Sequence, residues 1–536
     1  MDPGPGAAVT GHIDQMFESL IVMIQNQTMQ SSASDERERL LQVFNLLNLI
    51  HETFNQRLLR HITETGRKIN SHAPIHRLSD ELLVQIFALA LNSIPIQTAS
   101  NPHFIVVIGL VSKKWSRIVF ETPSLWVHIS SRFSDRQNTA AIIKSNGYPL
   151  RVSCFDVDFK NRSRVPFNKY ANKEAFRWQS VAVSVGDNKG STLALLRSFV
   201  SLSVPRLEEL KIDCSELEGF EGESIDVFDE GAERLRHVDL LNFPIPLSSQ
   251  LLSRLETLKL YGLDIWPGTC TDDILDILRR CPKLRVFKFD YSDLEGIRVS
   301  GTTPPEAEAV LLPFLTFLDL SFESTEVFRQ IVASIRIPAC TQFYLTCYDR
   351  TGNVFTGETS HLTALLLRVI QHLPKISLSL EASGLTLTEP RDRINKAIKI
   401  FMYHSSPWEV LASLIEQAER SVPWPPIEAQ ISCGRSLPFH EVADVIRKIP
   451  SITKLELTGD SHDYITQLSH PVLDNGIYAW VLPNLEELSL NKYSKNVLQP
   501  LADLPGKRRQ APDMDRGDGV RLGLPTELKR IHVRKP

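Results

Sequence analysis

A chain of 536 residues exceeds the size at which one hydrophobic core stops growing, so several domains or a long repetitive array are required. With 42% hydrophobic and 23% charged residues it has the make-up of a globular protein. Its 59 Lys and Arg against 63 Asp and Glu leave a net charge of −4, which gives no global attraction to nucleic acid or to a membrane surface. No apolar run approaches the ~20 residues of a membrane span. The opening MDPGPGAAVTGHIDQMFESL lacks the basic flank and long apolar core of a secretory signal. The seven cysteines are scattered and never form C-x-x-C, so they read as reduced, mostly buried thiols and not as a disulfide framework or zinc site. A cytoplasmic or nuclear protein is expected, with no membrane and no nucleic acid among its partners.

Residues 1–34 begin Gly- and Pro-rich, which predicts disorder. Ile13, Met16, Phe17, Leu20, Ile21 and Ile24 then recur at helical spacing, a short amphipathic helix. Over 35–70 a longer helix is expected, from about Asp35 to Lys68. Its stripe is Leu40, Phe44, Leu47, Ile50, Phe54, Leu58 and Ile62. Such a stripe suits a short coiled coil or a helix lying on a neighbour.

Residues 71–130 form a distinct unit. Pro74-Ile75-His76-Arg77-Leu78-Ser79-Asp80-Glu81-Leu82-Leu83-Val84-Gln85-Ile86-Phe87 reads as a helix start, with Asp80 and Glu81 at its positive end. Leu78, Leu82, Leu83, Ile86 and Phe87 repeat at three and four. A second apolar stretch, Ile105 to Val111, leads into Ser112-Lys113-Lys114-Trp115-Ser116-Arg117-Ile118 and then Thr122-Pro123-Ser124-Leu125-Trp126. That order resembles the F-box family, whose pattern is L-P-x-E-L-L-x-x-I-F, an apolar second helix, then V-C-[KR]-x-W-[KR]. In mushroom-type fungal members T-P-x-L-W closes the unit, and a helix ending in P-I-x-x-L precedes it. The resemblance covers some fifty-five residues. Ser79 stands where proline is typical and Ser112 where cysteine is typical. Serine at 79 can still cap the helix.

The resemblance implies a three-helix module that docks on a Skp-type adaptor and through it on a cullin, as the substrate-recognition subunit of an SCF-type ubiquitin ligase. The implied contact residues are Leu78, Leu82, Leu83, Ile86, Phe87, Ile108, Val111 and Trp115, with Trp126 as a further anchor. Short helices cannot bury such surface alone, so these positions divide between the module's own core and the adaptor. The mechanism needs no catalytic residue and no cofactor in this chain.

From about 150 to 536 a six-residue figure recurs: apolar, two variable, apolar, one variable, apolar. It appears at Trp178-Val181-Val183, Leu207-Leu210-Ile212, Leu235-Val238-Leu240, Leu255-Leu258-Leu260, Leu284-Phe287-Phe289 and Leu315-Leu318-Leu320. Further copies are Ile452-Leu455-Leu457, Leu485-Leu488-Leu490 and Leu528-Ile531-Val533. Weaker ones lie near Cys340-Phe343-Leu345, Leu373-Ile376-Leu378 and Ile398-Phe401-Tyr403. The alternating end of each figure is a strand with one buried face. Helix-like stretches fall between figures, at Thr192–Ser201, Asp272–Arg280, Glu326–Ile335, Ser360–His372 and Glu409–Arg420. Proline often precedes the next strand, as at Pro205, Pro282, Pro450 and Pro483. Helix, turn and strand repeated about ten times predict an irregular leucine-rich-repeat-like solenoid, with an exposed insertion near 502–524. The fold class expected is therefore α+β: N-terminal helices and a three-helix F-box followed by that array.

No catalytic constellation is visible. Gly186-Asp187-Asn188-Lys189-Gly190-Ser191-Thr192 lacks the G-K-[ST] ending of a phosphate loop, and His440-Glu441 lacks the second histidine of a zinc protease. His404 has no partner motif, and no metal ligands are expected. Lys507-Arg508-Arg509 reads as a solvated loop, with a nuclear address as the other reading. The expectation is a receptor that binds a protein substrate through its repeats. The alternative is an interaction scaffold without a ligase role.

Overall fold

The computed structural model describes residues 15–24, 36–93, 104–155 and 171–348 with short breaks, and 376–534 in shorter segments. The expected disordered start, the helix at 360–372, most of the one at 409–420, His404, His440, Glu441 and residues 510–524 lie outside the described residues. The chain is a mixture of helix and strand divided into two compact units, Met1–Ser93 with Phe104–Leu125, and Ile94–His103 with Trp126–Pro536.

The first unit is helical. Helix α1 covers residues 15–24, and α2 runs Glu36–His72, past the expected end at Lys68. Phe17 of α1 meets Phe54 of α2 edge-on at 6.2 Å. A helical turn at Pro74–Arg77 leads to α3 (Asp80–Ser93), α4 (Phe104–Leu110) and α5 (Lys113–Glu121), closed by a turn at Pro123–Leu125. Ser79 and Ser112 both act as caps. Ser79 Oγ accepts from the N–H of Leu82 at 3.4 Å, and Ser112 Oγ accepts from that of Trp115 at 3.2 Å, so each serine satisfies an amide that an alanine would leave open.

The second unit is built on strands. They are β1 (His128–Ser130), β2 (Leu150–Phe155), β3 (Trp178–Ser184), β4 (Glu209–Asp213), β5 (His237–Leu241), β6 (Thr257–Tyr261) and β7 (Val286–Asp290). Next come β8 (Val310–Leu311), β9 (Phe317–Phe322), β10 (Ile335–Arg336), β11 (Gln342–Cys347), β12 (Ile376–Glu381), β13 (Gly384–Thr388) and β14 (Ala397–Met402). The last are β15 (Ile427–Cys433), β16 (Ile452–Gly459), β17 (Val472–Asp474), β18 (Ile477–Ala479), β19 (Glu487–Asn491) and β20 (Arg530–Arg534). Sixteen of them form one sheet, in the order β1-β2-β3-β4-β5-β6-β7-β9-β11-β14-β13-β12-β15-β16-β19-β20. β8 pairs with β10, and β17 with β18, in separate two-stranded sheets.

The register shows why the six-residue figure exists. Val181, Leu210, Val238, Leu258, Phe287, Leu318 and Phe343 are successive cross-strand partners, and the residues two further on form a second row. All seven are buried. Equivalent apolar side chains therefore stack strand upon strand on one face. The intervening residues alternate to the other face, because the side-chain period of a strand is two.

The expectation of an irregular leucine-rich-repeat-like solenoid is corrected here. β14 lies beside β11, β13 runs antiparallel to both β14 and β12, and β12 then pairs parallel with β15. The chain thus passes over two strand positions, doubles back through two hairpin pairings, and crosses again. A solenoid adds each strand beside the one before it and never reverses. Among the described residues the helices are also fewer than one per strand. Helices lie at Lys189–Val200, Thr271–Arg280 and Thr325–Ala333, whereas the β5–β6 connection contains only the short turn Gln250–Leu252. The 502–524 insertion is corrected in part: Leu498–Arg509 is helical, with Leu504 and Arg508 buried. Arg508 is not a solvated loop residue. Its guanidinium sits 5.7 Å from the Trp480 ring centre and donates to the carbonyl of Leu482 at 3.0 Å, and burial lowers its pKa to about 10.

At the start of the sheet, helix α6 (Asp135–Lys144) opens with a capping box of Ser134 and Gln137. Its buried Asn138 accepts from the N–H of Ser130 at 3.0 Å and donates to the carbonyls of Ser130 (2.8 Å) and Phe133 (3.3 Å). This amide ties α6 to β1 and satisfies main-chain groups that the three-residue strand leaves open.

Candidate functional site

The residues singled out in the 74–129 unit fall into two sets on the same helices. On α3, Leu83 and Phe87, one turn apart, are 0% and 2% exposed. Leu82 and Leu89, at the first and last positions of an i, i+4, i+7 row through Ile86, are 47% and 69% exposed. One helix therefore carries two adjacent apolar stripes, the first closing the module's core and the second facing solvent. The same division continues through α4, where Ile105 and Ile108 are buried while Leu110 is 80% exposed and Val111 is also exposed. Leu78 and Trp115 are half-buried. Leu89, Val107, Leu110 and Phe120 belong with the exposed set and were missed in the sequence reading. Leu89 had a legible signal, standing three residues after Ile86 and seven after Leu82.

Charge and aromatic contacts fix the helix starts. Lys114 Nζ donates to the carbonyl of Leu78 at 2.6 Å and lies 3.3 Å from Asp80, whose other oxygen takes Arg117 at 2.6 Å. These ion pairs are exposed and worth little individually, but with the carbonyl contact they hold the start of α3 against α5. The Trp115 ring lies 4.8 Å from that of Phe87 and 5.9 Å from that of His76, which fixes it between α3 and the preceding turn. The Glu81 carboxyl is held below its ordinary range by backbone hydrogen bonding at its own position and then by the Ser79 hydroxyl. Trp126 lies in the second unit, buried beneath Lys144 at 5.0 Å.

The sheet's solvent face is polar and aromatic. Lys259 pairs with Asp239 at 3.2 Å and Lys288 with Asp319 at 3.1 Å. Lys288 also lies 4.8 Å over the Phe317 ring, which meets Tyr344 edge-on at 5.1 Å. Burial, and then Asp239, Asp319 and Asp290, push the Tyr261 hydroxyl above its ordinary pKa. Further along, a groove of about 500 Å³ crosses β15, β16, β19 and β20. Within it Lys454 bridges Glu428 at 3.3 Å and Glu487 at 2.9 Å. The bond to Glu487 raises the lysine pKa most, and Lys454 lowers that of Glu487.

Among the described residues no group of His, Cys, Asp and Glu is arranged to hold a metal, and no helix is long and apolar enough to cross a membrane. Of the Gly186–Thr192 run, the described part begins at Lys189, the first residue of the helix Lys189–Val200. Asp273 caps its own helix by accepting from the N–H of Cys270 at 2.8 Å. The cysteines described are free thiols, and burial pushes Cys154 and Cys340 up to about 12 and raises Cys214 and Cys281 as well. The thiolate is the reactive form, so a thiol of pKa 12 presents roughly one part in ten thousand at pH 8. These four cysteines are expected to resist iodoacetamide in the native chain and to label once denaturant is added. Mass spectrometry of the labelled peptides checks this, and fast native labelling of Cys154 would contradict it.

No protein-family model and no curated protein matches the chain.

Proposed function

We propose that this chain is a substrate-recognition subunit of an SCF-type, cullin–RING ubiquitin ligase. The 74–129 module docks on a Skp-type adaptor, and the strand unit holds a protein substrate. The reading rests on the F-box resemblance of the motif. The observation that carries it is the second stripe of α3. Leu82, Ile86 and Leu89 leave a row of aliphatic side chains in water although Leu83 and Phe87 already close the module's core. A helix that buries one stripe and exposes an adjacent one is suited to a helical partner. The polar, aromatic face across β5 to β11 offers ion-paired and ring surfaces for a polypeptide. Function in the cytoplasm or nucleus follows from that role. The chain supplies position and not chemistry, so no catalytic residue is assigned.

The test is a pull-down with purified Skp-type adaptor, comparing the native chain with Leu82→Asp/Ile86→Asp. Both positions are exposed, so the variant is expected to fold. Two carboxylates buried at the interface without partners are expected to weaken binding by at least about a hundredfold. Failure of the native chain to bind adaptor in excess would remove the receptor reading. Adaptor binding without cullin recruitment would favour the scaffold alternative.

A further inference from the structure

We infer that α2 is a self-association helix, pairing antiparallel with α2 of a second copy of this chain. The helix is 37 residues long, about 55 Å at the rise of an α-helix. Leu40, Phe44, Leu47, Phe54, Leu58 and Ile62 are exposed along it, and Ile69 continues the row. At 100° per residue these seven side chains fall within an arc of about 80°. Val43, Leu46 and Ile50 sit on the neighbouring side and are half-buried. The exposed stripe is therefore a different face from that half-buried side; at its middle Phe54 is met edge-on by Phe17 of α1 and is still 46% exposed.

Period, symmetry and charge identify the occupant. From Leu40 to Ile69 the row advances by about 3.6 residues per step, the repeat of a straight helix. It fits a straight pair better than a long supercoil. The row is partly palindromic about residues 54 and 55: two apolar pairs match on reversal, while Phe44 falls opposite Thr65 and Phe54 opposite Asn55. Reversing a second copy sets Leu40 opposite Ile69, Leu47 opposite Ile62, and His51 opposite Leu58. The two halves also differ in charge. Residues 36–54 hold three carboxylates (Glu36, Glu38, Glu52) and two arginines, net −1. Residues 55–72 hold Arg57, Arg60, Arg67 and Lys68 against Glu64, net +3. A parallel pair sets +3 against +3. An antiparallel pair sets each basic half against an acidic one and aligns the helix dipoles favourably. At on the order of 100 Å² for each exposed side chain, the pair buries about 1,400 Å², inside the range of a stable interface.

Sedimentation of the full chain tests this. The native protein is expected at twice its 60.6 kDa mass. Leu47→Glu/Ile62→Glu places charges in the seam at exposed positions and is expected to weaken association about a hundredfold or more, with unchanged circular dichroism. Orientation is read separately. Leu40→Cys/Ile69→Cys is expected to link two copies covalently under mild oxidation, whereas Leu40→Cys alone and the native chain are not. That pair still reports if the glutamate variant fails to fold. A native chain that sediments as a monomer overturns the inference. So does a folded glutamate variant that dimerises as tightly, a double-cysteine chain that stays unlinked, or Leu40→Cys alone linking to itself.

Discussion

Replacing Trp178 by alanine is expected to destabilise the strand unit by about 3–5 kcal/mol, the loss typical of truncating a large aromatic in a core that cannot collapse around the gap. Trp178 is wholly buried at the head of β3. Its ring meets Phe199 edge-on at 5.8 Å and Phe228 at 6.4 Å, and those two stack on each other. Removing the indole takes away the surface on which both phenylalanines rest, so the cost is shared by β3, the helix Lys189–Val200 and the segment containing Phe228. Trp178→Phe separates volume from polarity. The indole Nε1 is buried and makes no hydrogen bond among the described residues, so phenylalanine keeps most of the ring and removes an unsatisfied donor. Urea denaturation of the two variants checks this. A loss below about 1 kcal/mol for alanine, or equal losses for alanine and phenylalanine, would count against this account.

The second large effect is expected one residue earlier. Arg177 is only 3% exposed and uses its guanidinium as a hub. Nε pairs with Glu174 at 2.7 Å, Nη1 donates to the Ser145 hydroxyl (2.9 Å) and the carbonyl of Tyr148 (3.0 Å), and Nη2 donates to that of Ile142 (3.2 Å). The end of α6 is therefore held to the helical turn Asn172–Arg177 by one side chain. Arg177→Met fills much of the space but strands Glu174 and two main-chain carbonyls, for an expected loss of about 3–5 kcal/mol. Arg177→Lys should recover only part of it, since an ammonium cannot reproduce a planar fork. The denaturation midpoint reads the effect. A methionine variant as stable as the native chain would mean that water replaces the hub.

Much of this fold can be read in the sequence. The six-residue figure locates strands wherever its residues are all buried, because a buried face with a period of two leaves the same mark each time. The mark says nothing about direction, and the β12–β14 reversal is invisible to it. β13, Gly-Leu-Thr-Leu-Thr, carries a plain alternating signal, but it lacks the leading apolar residue and preceding proline that mark the six-residue figure elsewhere. β15 is preceded by Pro425 and Pro426 and alternates through the buried Ile427, Ala429 and Ile431, a signal that was legible and was not taken up. In the helical unit, periodicity identifies the apolar positions of α3 but cannot say which of two adjacent stripes is already covered. Leu82 and Leu83 look alike as letters and differ completely in exposure. Arg508 shows the converse. A run of three basic residues reads as solvated until Trp480 and Leu482, 28 and 26 positions earlier, are seen to receive one of them.

The long sheet also has two ends, and their chemistry bears on whether the protein stays dispersed at high concentration. A sheet of this length offers a template to any extended chain that reaches an unpaired edge. β1 presents only three residues, too short for an incoming strand to gain many hydrogen bonds. β20 is longer, but it is introduced by Lys529 and carries Arg530 and His532 on one face, with Lys529 drawn onto Glu486, just before β19, and Arg530 onto Glu487 at its start. An added copy of β20 would set like charges opposite one another at about 5 Å. The ladder is thus capped at one end by brevity and at the other by charge, and fibrous stacking through its edges is disfavoured.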